Sequence, residues 1–230
     1  MPLKRPAPRG SKYNQKIDPK TFYVAYEGID DEKEYFELFP QKIKKRFLRN
    51  FSFIAVEKSS TNAEPVHVLR DLEARLEQDG VKISKGNDNY MAYIVIDTDH
   101  HFNDTHTRET ANVLQQCRQK GIKVALTNPC FEVWLMCHFE DLTERSDEFK
   151  ADLIKNDKVT RHNTYSKVIW SEIKNARPMN EVLLHIEDAL INEEKLNSAC
   201  DNPEGTPPDG IYSGVGDIFR EIKASGIPID

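Results

Sequence analysis

The sequence has few of the features that mark membrane, secreted or zinc-binding proteins. Its 230 residues contain no apolar run long enough to cross a bilayer, and the N-terminus lacks the apolar core of a signal peptide. The four cysteines include no Cys-x-x-Cys pair. We therefore expect a cytoplasmic protein without membrane contact. We also expect buried free thiols rather than disulfides or zinc ligands at Cys117, Cys130, Cys137 and Cys200.

The chain also lacks the positive net charge that is common among nucleic-acid-binding proteins, because its formal net charge is -6. Positive charge is concentrated locally instead. The first twenty residues are rich in lysine and arginine. A second basic segment contains Lys42, Lys44, Lys45, Arg46 and Arg49. Local patches attract phosphate whatever the total charge, so this segment is a candidate nucleic-acid-binding surface. A disordered tail and a solvated helix face explain the same two segments equally well.

Short apolar runs alternate with helical patterns through the first part of the chain. The runs are bounded by turn residues and predict strands at 21–27, 51–56, 91–96 and 122–126. The intervening segments repeat apolar residues at helical spacing, and the helix at 105–120 should bury Val113, Leu114 and Cys117. This alternation predicts an α/β fold with a parallel sheet flanked by helices.

The pattern changes after residue 140, where helical spacing continues and no good strand run appears. We expect a loop at 201–210 and a short helix near 214–224. The chain therefore divides into a flexible basic arm, a catalytic domain and a helical extension packed on that domain. Their predicted ranges are 1–20, 21–140 and 141–230.

Acidic residues follow three of the predicted strands. Glu27 precedes Gly28, Asp97 and Asp99 end the third strand, and Glu132 lies in a helix that Asn128 should cap with Pro129 at its first position. Parallel strands present their carboxyl ends at one edge of a sheet, where ligands bind. Carboxylates clustered there would repel one another without a cation. All-oxygen ligands suit Mg²⁺ or Mn²⁺. The predicted metal ligands are Glu27, Asp97, Asp99 and Glu132.

Each of these signatures also has an ordinary explanation. Exposed loops often contain Asp-x-Asp, a glutamate before a turn glycine can be a surface residue, and the helix dipole favours an acid such as Glu132 in a first turn. In a functional site, Glu27 would be a metal ligand or a general base. Lys167 is a candidate phosphate contact or a solvated lysine. A surface loop or a substrate contact explains the nearby histidines better than zinc does: His100, His101 and His106. Trp134 and Phe139 fit a hydrophobic core better than a platform for stacking bases.

Together these segments resemble the RloB-like family, a branch of the Toprim fold. The matching stretches are Tyr26-Glu27-Gly28 with Glu34-Tyr35-Phe36, Ile96-Asp97-Thr98-Asp99, and Asn128-Pro129-Cys130-Phe131-Glu132-Val133-Trp134-Leu135 with His138-Phe139. The last stretch is the most specific. Weaker similarities lie at Tyr165-x-Lys167 and near Asn202-Pro203.

The resemblance implies a Toprim-like core in which a first-strand glutamate and an Asp-x-Asp pair bind Mg²⁺. By motif match these roles fall on Glu27, Asp97 and Asp99. Members of the family are linked to bacterial anti-phage defence, often beside restriction systems or ATPase partners. A related Toprim effector of the defence system called PARIS is a nuclease that acts on transfer RNA.

One segment departs from the family pattern. The family usually has a Thr-Glu pair shortly after the glycine, whereas this chain continues as Gly28-Ile29-Asp30-Asp31. The second acid of the site is therefore Asp31, Glu32 or Glu34, and the sequence leaves the choice open.

These observations predict a Mg²⁺-dependent nuclease that cleaves phosphodiester bonds in RNA, including transfer RNA, or in DNA, and acts as a toxin in antiviral defence by abortive infection. A non-catalytic adaptor of an ATPase partner is the first alternative. A haloacid-dehalogenase-type phosphatase also uses Asp-x-Asp, although near the start of its domain. A glycosyltransferase uses a mid-chain Asp-x-Asp with Mn²⁺, but gives Glu27 no role. Homo-oligomerisation stays open.

Overall fold

The computed structural model describes residues 19–59, 64–84, 88–99, 102, 107–200 and 207–229. Several expectations fall outside this part of the chain. They concern the basic arm up to residue 18, the histidines His100, His101 and His106, and the Asn202-Pro203 segment.

The sheet has five strands in the order β2-β1-β3-β4-β5. Their bounds are β1 Lys20–Ala25, β2 Phe51–Val56, β3 Tyr90–Asp97, β4 Lys123–Asn128 and β5 Tyr212–Ser213. The first four strands are parallel, and β5 pairs with β4 in the antiparallel direction. The predicted α/β class, with a parallel sheet flanked by helices and further helices at the C-terminal end, is confirmed.

Helices cover both faces of this sheet. On one face, α2 (Pro65–Gln78) and α3 (Thr107–Lys120) bury apolar residues against Tyr23 and Ile94. On the other face, α1 (Asp31–Leu38) and later helices enclose a second apolar cluster that contains Phe22. The alternation of Phe22 and Tyr23 between the two clusters follows from the two-residue period of a strand. The predicted inward positions of α3 are buried: Val113, Leu114 and Cys117.

Six helices follow β4. They are α4 Glu132–Cys137, α5 Asp147–Lys155, α6 Tyr165–Lys174, α7 Met179–Val182, α8 Ile186–Ser198 and α9 Gly216–Ala224. The predicted short C-terminal helix corresponds to α9. Helices α4, α8 and α9 share the core under the sheet, where the rings of Trp134 and Phe219 stack with their centroids 5.4 Å apart. The predicted core role of Trp134 is therefore confirmed.

The expectation of no strand after residue 140 is wrong, because β5 joins the edge of the sheet at Tyr212–Ser213. A two-residue strand has too few positions to show an alternating pattern. Glu193 of α8 holds this strand in place. It accepts hydrogen bonds from Ser213 Oγ at 2.7 Å and Gly216 N at 2.8 Å, and its Oε2 lies 2.7 Å from Arg220 Nη1.

The predicted start of α4 is also wrong. Asn128 is not a helix cap but the last residue of β4, and it is joined to Pro129 by a cis peptide bond. The helix begins at Glu132, three residues after the proline. The Asn128 amide instead donates hydrogen bonds to the carbonyl oxygens of Pro208 at 3.0 Å and Gly210 at 2.6 Å, and so secures the segment that leads into β5.

The cysteine expectation is confirmed for three of the four thiols. Cys117, Cys130 and Cys137 are buried and form no disulfide, whereas Cys200, which also forms none, is only partly buried. Within the described part of the chain, no helix has both the length and the apolar character to span a membrane.

Candidate functional site

The predicted acids meet at the carboxyl edge of the parallel strands. Glu27 lies two residues beyond β1, Asp97 ends β3, Asp99 follows it, and Glu132 opens α4. Because β1, β3 and β4 are neighbours in the sheet, these side chains line one open cleft of about 880 Å³ together with Glu32 of α1. Asp97 belongs to a strand that is buried along most of its length, and Glu27 and Glu132 are themselves buried.

Among Asp31, Glu32 and Glu34, the acid that is buried at the cleft is Glu32. Its side chain is buried, and its Oε2 accepts a hydrogen bond from Gly28 N at 2.5 Å. Asp31 lies at the rim of the cleft and pairs with Lys174 at 3.1 Å, whereas Glu34 is exposed. A Cβ atom at Gly28 would lie 2.8 Å from Glu32 Cδ, so glycine is what lets the glutamate pack against this turn.

Hydrogen bonds hold both aspartates of the Asp-x-Asp motif. Asp97 Oδ1 accepts a bond from Thr127 Oγ1 at 2.5 Å, and Asp99 Oδ2 accepts one from Asn156 Nδ2 at 2.9 Å. The backbone N–H of Asp99 bonds to the Pro129 carbonyl oxygen at 3.1 Å, so the motif is joined to the loop that follows β4.

Burial and mutual repulsion raise the pKa values of the clustered carboxyls. Burial raises the pKa of Glu27, with a further contribution from the charge of Asp99. Burial also raises the pKa of Asp97, and the charges of Glu32, Glu27 and Glu132 add to it. The pKa of Glu32 rises to about 8, mainly through burial. The cleft therefore favours either bound protons or a bound cation.

Three lysines line the same cleft as the acids. Lys58 follows β2 and donates a hydrogen bond to the carbonyl oxygen of Glu27. Lys167 of α6 acts on Glu132, since its charge lowers the pKa of a carboxyl that burial raises. Lys174 lies about two turns further along the same face of α6 and makes the ion pair with Asp31. The cleft thus combines buried carboxyls with lysines that could contact phosphate oxygens.

The donor set suits Mg²⁺ or Mn²⁺, because five carboxyl groups provide only oxygen ligands. Their side chains are not preformed as a metal centre. Within the described residues, no group of three or more His, Cys, Asp or Glu side chains is placed to hold an ion. Oxygens of Glu32, Asp97 and Asp99 instead accept hydrogen bonds from Gly28, Thr127 and Asn156. Metal binding would require side-chain rotations that bring the carboxyl groups closer together.

A family model described as RloB-like protein matches residues 22–222, which include the acids of the cleft and Lys167. The chain belongs to the RloB-like family. No curated protein and no solved structure matches the chain significantly.

The basic segment of this RloB-like chain does not lie at the cleft. Lys42 Nζ donates a hydrogen bond to the Asn180 carbonyl oxygen at 2.6 Å, which directs it toward α7. Lys44, Lys45, Arg46 and Arg49 precede β2 and form an exposed turn rather than the helix face considered above. Phe51 at the start of β2 pairs with Lys20 at the start of β1, so this turn is at the amino edge of the sheet.

Sequence reasoning missed Lys58, Lys174 and Asn156, which all line the cleft. Lys58 follows the end of β2, and the rule that located the acids could have found it there. Asn156 ends α5 in the left-handed conformation, with φ 46° and ψ 40°. An asparagine is a recognisable helix end. Its contact with Asp99, 57 positions away in the chain, has no local signal.

Proposed function

We propose that this RloB-like chain is a metal-dependent phosphodiesterase that cleaves nucleic acid. The proposal rests on one observation: five carboxyl groups converge in a cleft that lysines also line. Carboxylates can hold a divalent cation, and lysines can neutralise phosphate oxygens, so one cleft contains the groups that a phosphodiester substrate requires.

Glu27, Asp97 and Asp99 would hold Mg²⁺ or Mn²⁺, with Glu32 and Glu132 beside them. When bound, the cation supplies a positive charge that polarises a phosphate oxygen and lowers the pKa of water. Lys58 and Lys167 would orient the phosphate.

Glu27 is also suited to accept a proton as a general base. Burial, with the charge of Asp99, raises the pKa of this carboxyl above its ordinary value, which makes it a stronger base.

We further propose, on the family resemblance, that this cleavage serves bacterial anti-phage defence as a toxin activity beside an ATPase partner. RNA, including transfer RNA, and DNA are both substrates that the proposed chemistry would accept.

One observation favours the alternative of a non-catalytic adaptor. The described carboxyls are held by hydrogen bonds and not in a metal-binding arrangement. An adaptor needs no metal and would keep its function without these acids. The two proposals therefore differ in what happens when the acids are neutralised.

The deciding experiment is incubation with mixed RNA and DNA in the presence of Mg²⁺, Mn²⁺ or EDTA. We expect cleavage with either cation and none with EDTA. Glu27→Gln and Asp97→Asn should lose cleavage and cellular toxicity while folding normally, because each keeps the side-chain shape and removes a charge. Glu34→Gln is the matched control, since Glu34 is an exposed acid of α1.

Two outcomes would contradict the nuclease proposal. Full protection against phage by the Glu27→Gln/Asp97→Asn double variant would support the adaptor. Hydrolysis of phosphate monoesters without cleavage of either nucleic acid would support the Asp-x-Asp phosphatase instead.

A further inference from the structure

The exposed basic turn formed by Lys44, Lys45, Arg46 and Arg49 lies outside the cleft and has no role in the proposed chemistry. It holds four cations within six positions of a chain whose net charge is -6. Many lysines and arginines elsewhere on the described surface pair with an acid, for example Lys195 with Asp141 at 2.8 Å. Lys45, Arg46 and Arg49 in particular are placed where they can contact an external anionic partner.

The cations of the basic turn are arranged to face outward. Lys45, Arg46 and Arg49 are exposed, and none of the three makes an ion pair with a residue that the structure describes. Arg46 lies over the ring of Phe47, with its guanidinium carbon 4.7 Å from the ring centroid. This contact holds the arginine against the surface without neutralising its charge.

Strand β2 connects the basic turn to the cleft. The turn directly precedes β2, and Lys58, which lines the cleft, lies two residues beyond its end. The strand has six residues, which corresponds to a length of about 20 Å. It is also the last strand on its side of the sheet among the described residues, and Ser52 near its start is exposed.

We propose that the basic turn is a second nucleic-acid contact, and that a long substrate lies along the β2 edge from this turn to Lys58. The inference rests on the proposed function and specifies its substrate class. At 3.4 Å per base pair, a span of about 20 Å corresponds to roughly 6 base pairs. The cleft therefore acts on a structured or extended nucleic acid rather than on a mononucleotide or dinucleotide. The contacts are to phosphate and select no base sequence.

A binding measurement tests this proposal. The probes are RNA and DNA hairpins with a stem of about 14 base pairs, and their binding is measured by fluorescence anisotropy in EDTA over a series of salt concentrations. The triple variant Lys45→Gln/Arg46→Gln/Arg49→Gln should bind roughly tenfold or more weakly, and its plot of log affinity against log salt should be shallower by about 2 to 3. The control removes three exposed cations elsewhere: Arg118→Gln/Lys195→Gln/Lys223→Gln. The control should keep the wild-type slope.

A crosslinking measurement tests the path along β2. Ser52→Cys, in a Cys200→Ser background and carrying a photoreactive label, should crosslink to the hairpin. The same label on Ser198→Cys, an exposed position of α8, should not. Equal crosslinking from both positions would overturn the path.

An unchanged salt slope in the triple variant would overturn the second contact and would mean that the turn is only a solvated surface. The result is independent of cleavage, because binding is measured without a metal. A changed slope combined with no cleavage of RNA or DNA by the wild-type protein in Mg²⁺ or Mn²⁺ would refute the proposed function and leave the binding surface intact. Cleavage by the wild type that is lost in Glu27→Gln, combined with an unchanged slope in the triple variant, would support the proposed function and refute the second contact.

Discussion

Replacing Glu32 by glutamine tests whether buried charge in the acidic cleft lowers the free energy of unfolding. Glu32 is only 6% exposed, and its Oε2 accepts the hydrogen bond from Gly28 N at 2.5 Å. Glutamine has nearly the same shape and keeps an oxygen that can accept this bond. The substitution thus removes a buried charge without opening a cavity.

The size of the effect follows from the pKa of Glu32. Burial, with the charges of Glu27 and Glu132 adding to it, raises this pKa from 4.5 to about 8. Between these values the folded protein keeps a proton that the unfolded chain has released, so the free energy of unfolding falls as pH rises. At 1.36 kcal/mol per pKa unit, the loss over the whole window is about 5 kcal/mol.

The Glu32→Gln variant should escape this loss. We expect it to match the wild type near pH 5 and to exceed it in free energy of unfolding by about 2 to 5 kcal/mol near pH 8. Urea unfolding in EDTA at both pH values measures the difference. Glu34→Gln provides the control from the exposed side of the same helix. An equal difference between Glu32→Gln and wild type at the two pH values would refute the electrostatic reasoning.

Three further predictions concern the same cleft. Asn156→Ala should weaken Mn²⁺ binding by roughly tenfold because it removes the hydrogen bond that orients Asp99, as titration calorimetry would show. Gly28→Ala should lower the free energy of unfolding by about 1–3 kcal/mol, because the added Cβ would lie 2.8 Å from Glu32 Cδ. The double variant Gly28→Ala/Glu32→Asp, with its shorter acid, should recover part of that loss in urea unfolding. Mg²⁺ should raise the melting temperature more near pH 8 than near pH 6, since carboxyls with raised pKa values must lose protons to bind it. An Mg²⁺ effect that does not change with pH would contradict this coupling.

The sequence predicted the parts of the molecule that depend on local patterns. The apolar runs before Glu27 and Asp97 located the strands, and the parallel direction of those strands brought the two acids to one edge. The choice among Asp31, Glu32 and Glu34 depended on which face of α1 is turned toward the cleft. That orientation is set by packing of Tyr35 and Phe36 in the core, which the order of residues does not reveal.

Other features depended on contacts between distant segments. Asn128 has the sequence context of a helix cap. In the structure it is instead the last residue of β4, and its side chain donates hydrogen bonds to the carbonyl oxygens of Pro208 and Gly210. Strand β5 is too short to be recognised, and the role of Asn156 requires α5 to end beside Asp99. Long-range contacts of this kind override local propensity.

The antiparallel strand β5 has a consequence for the synthesis of the protein. All the acids of the cleft have been translated once the ribosome has passed residue 132. The end of β4, however, is held by Pro208, Gly210 and β5, which are translated much later. Domains fold as units during translation. A nascent chain that stops before these residues would therefore carry all the acids of the cleft without the support that orders them. The complete cleft would thus form only after this late segment has emerged from the ribosome and folded.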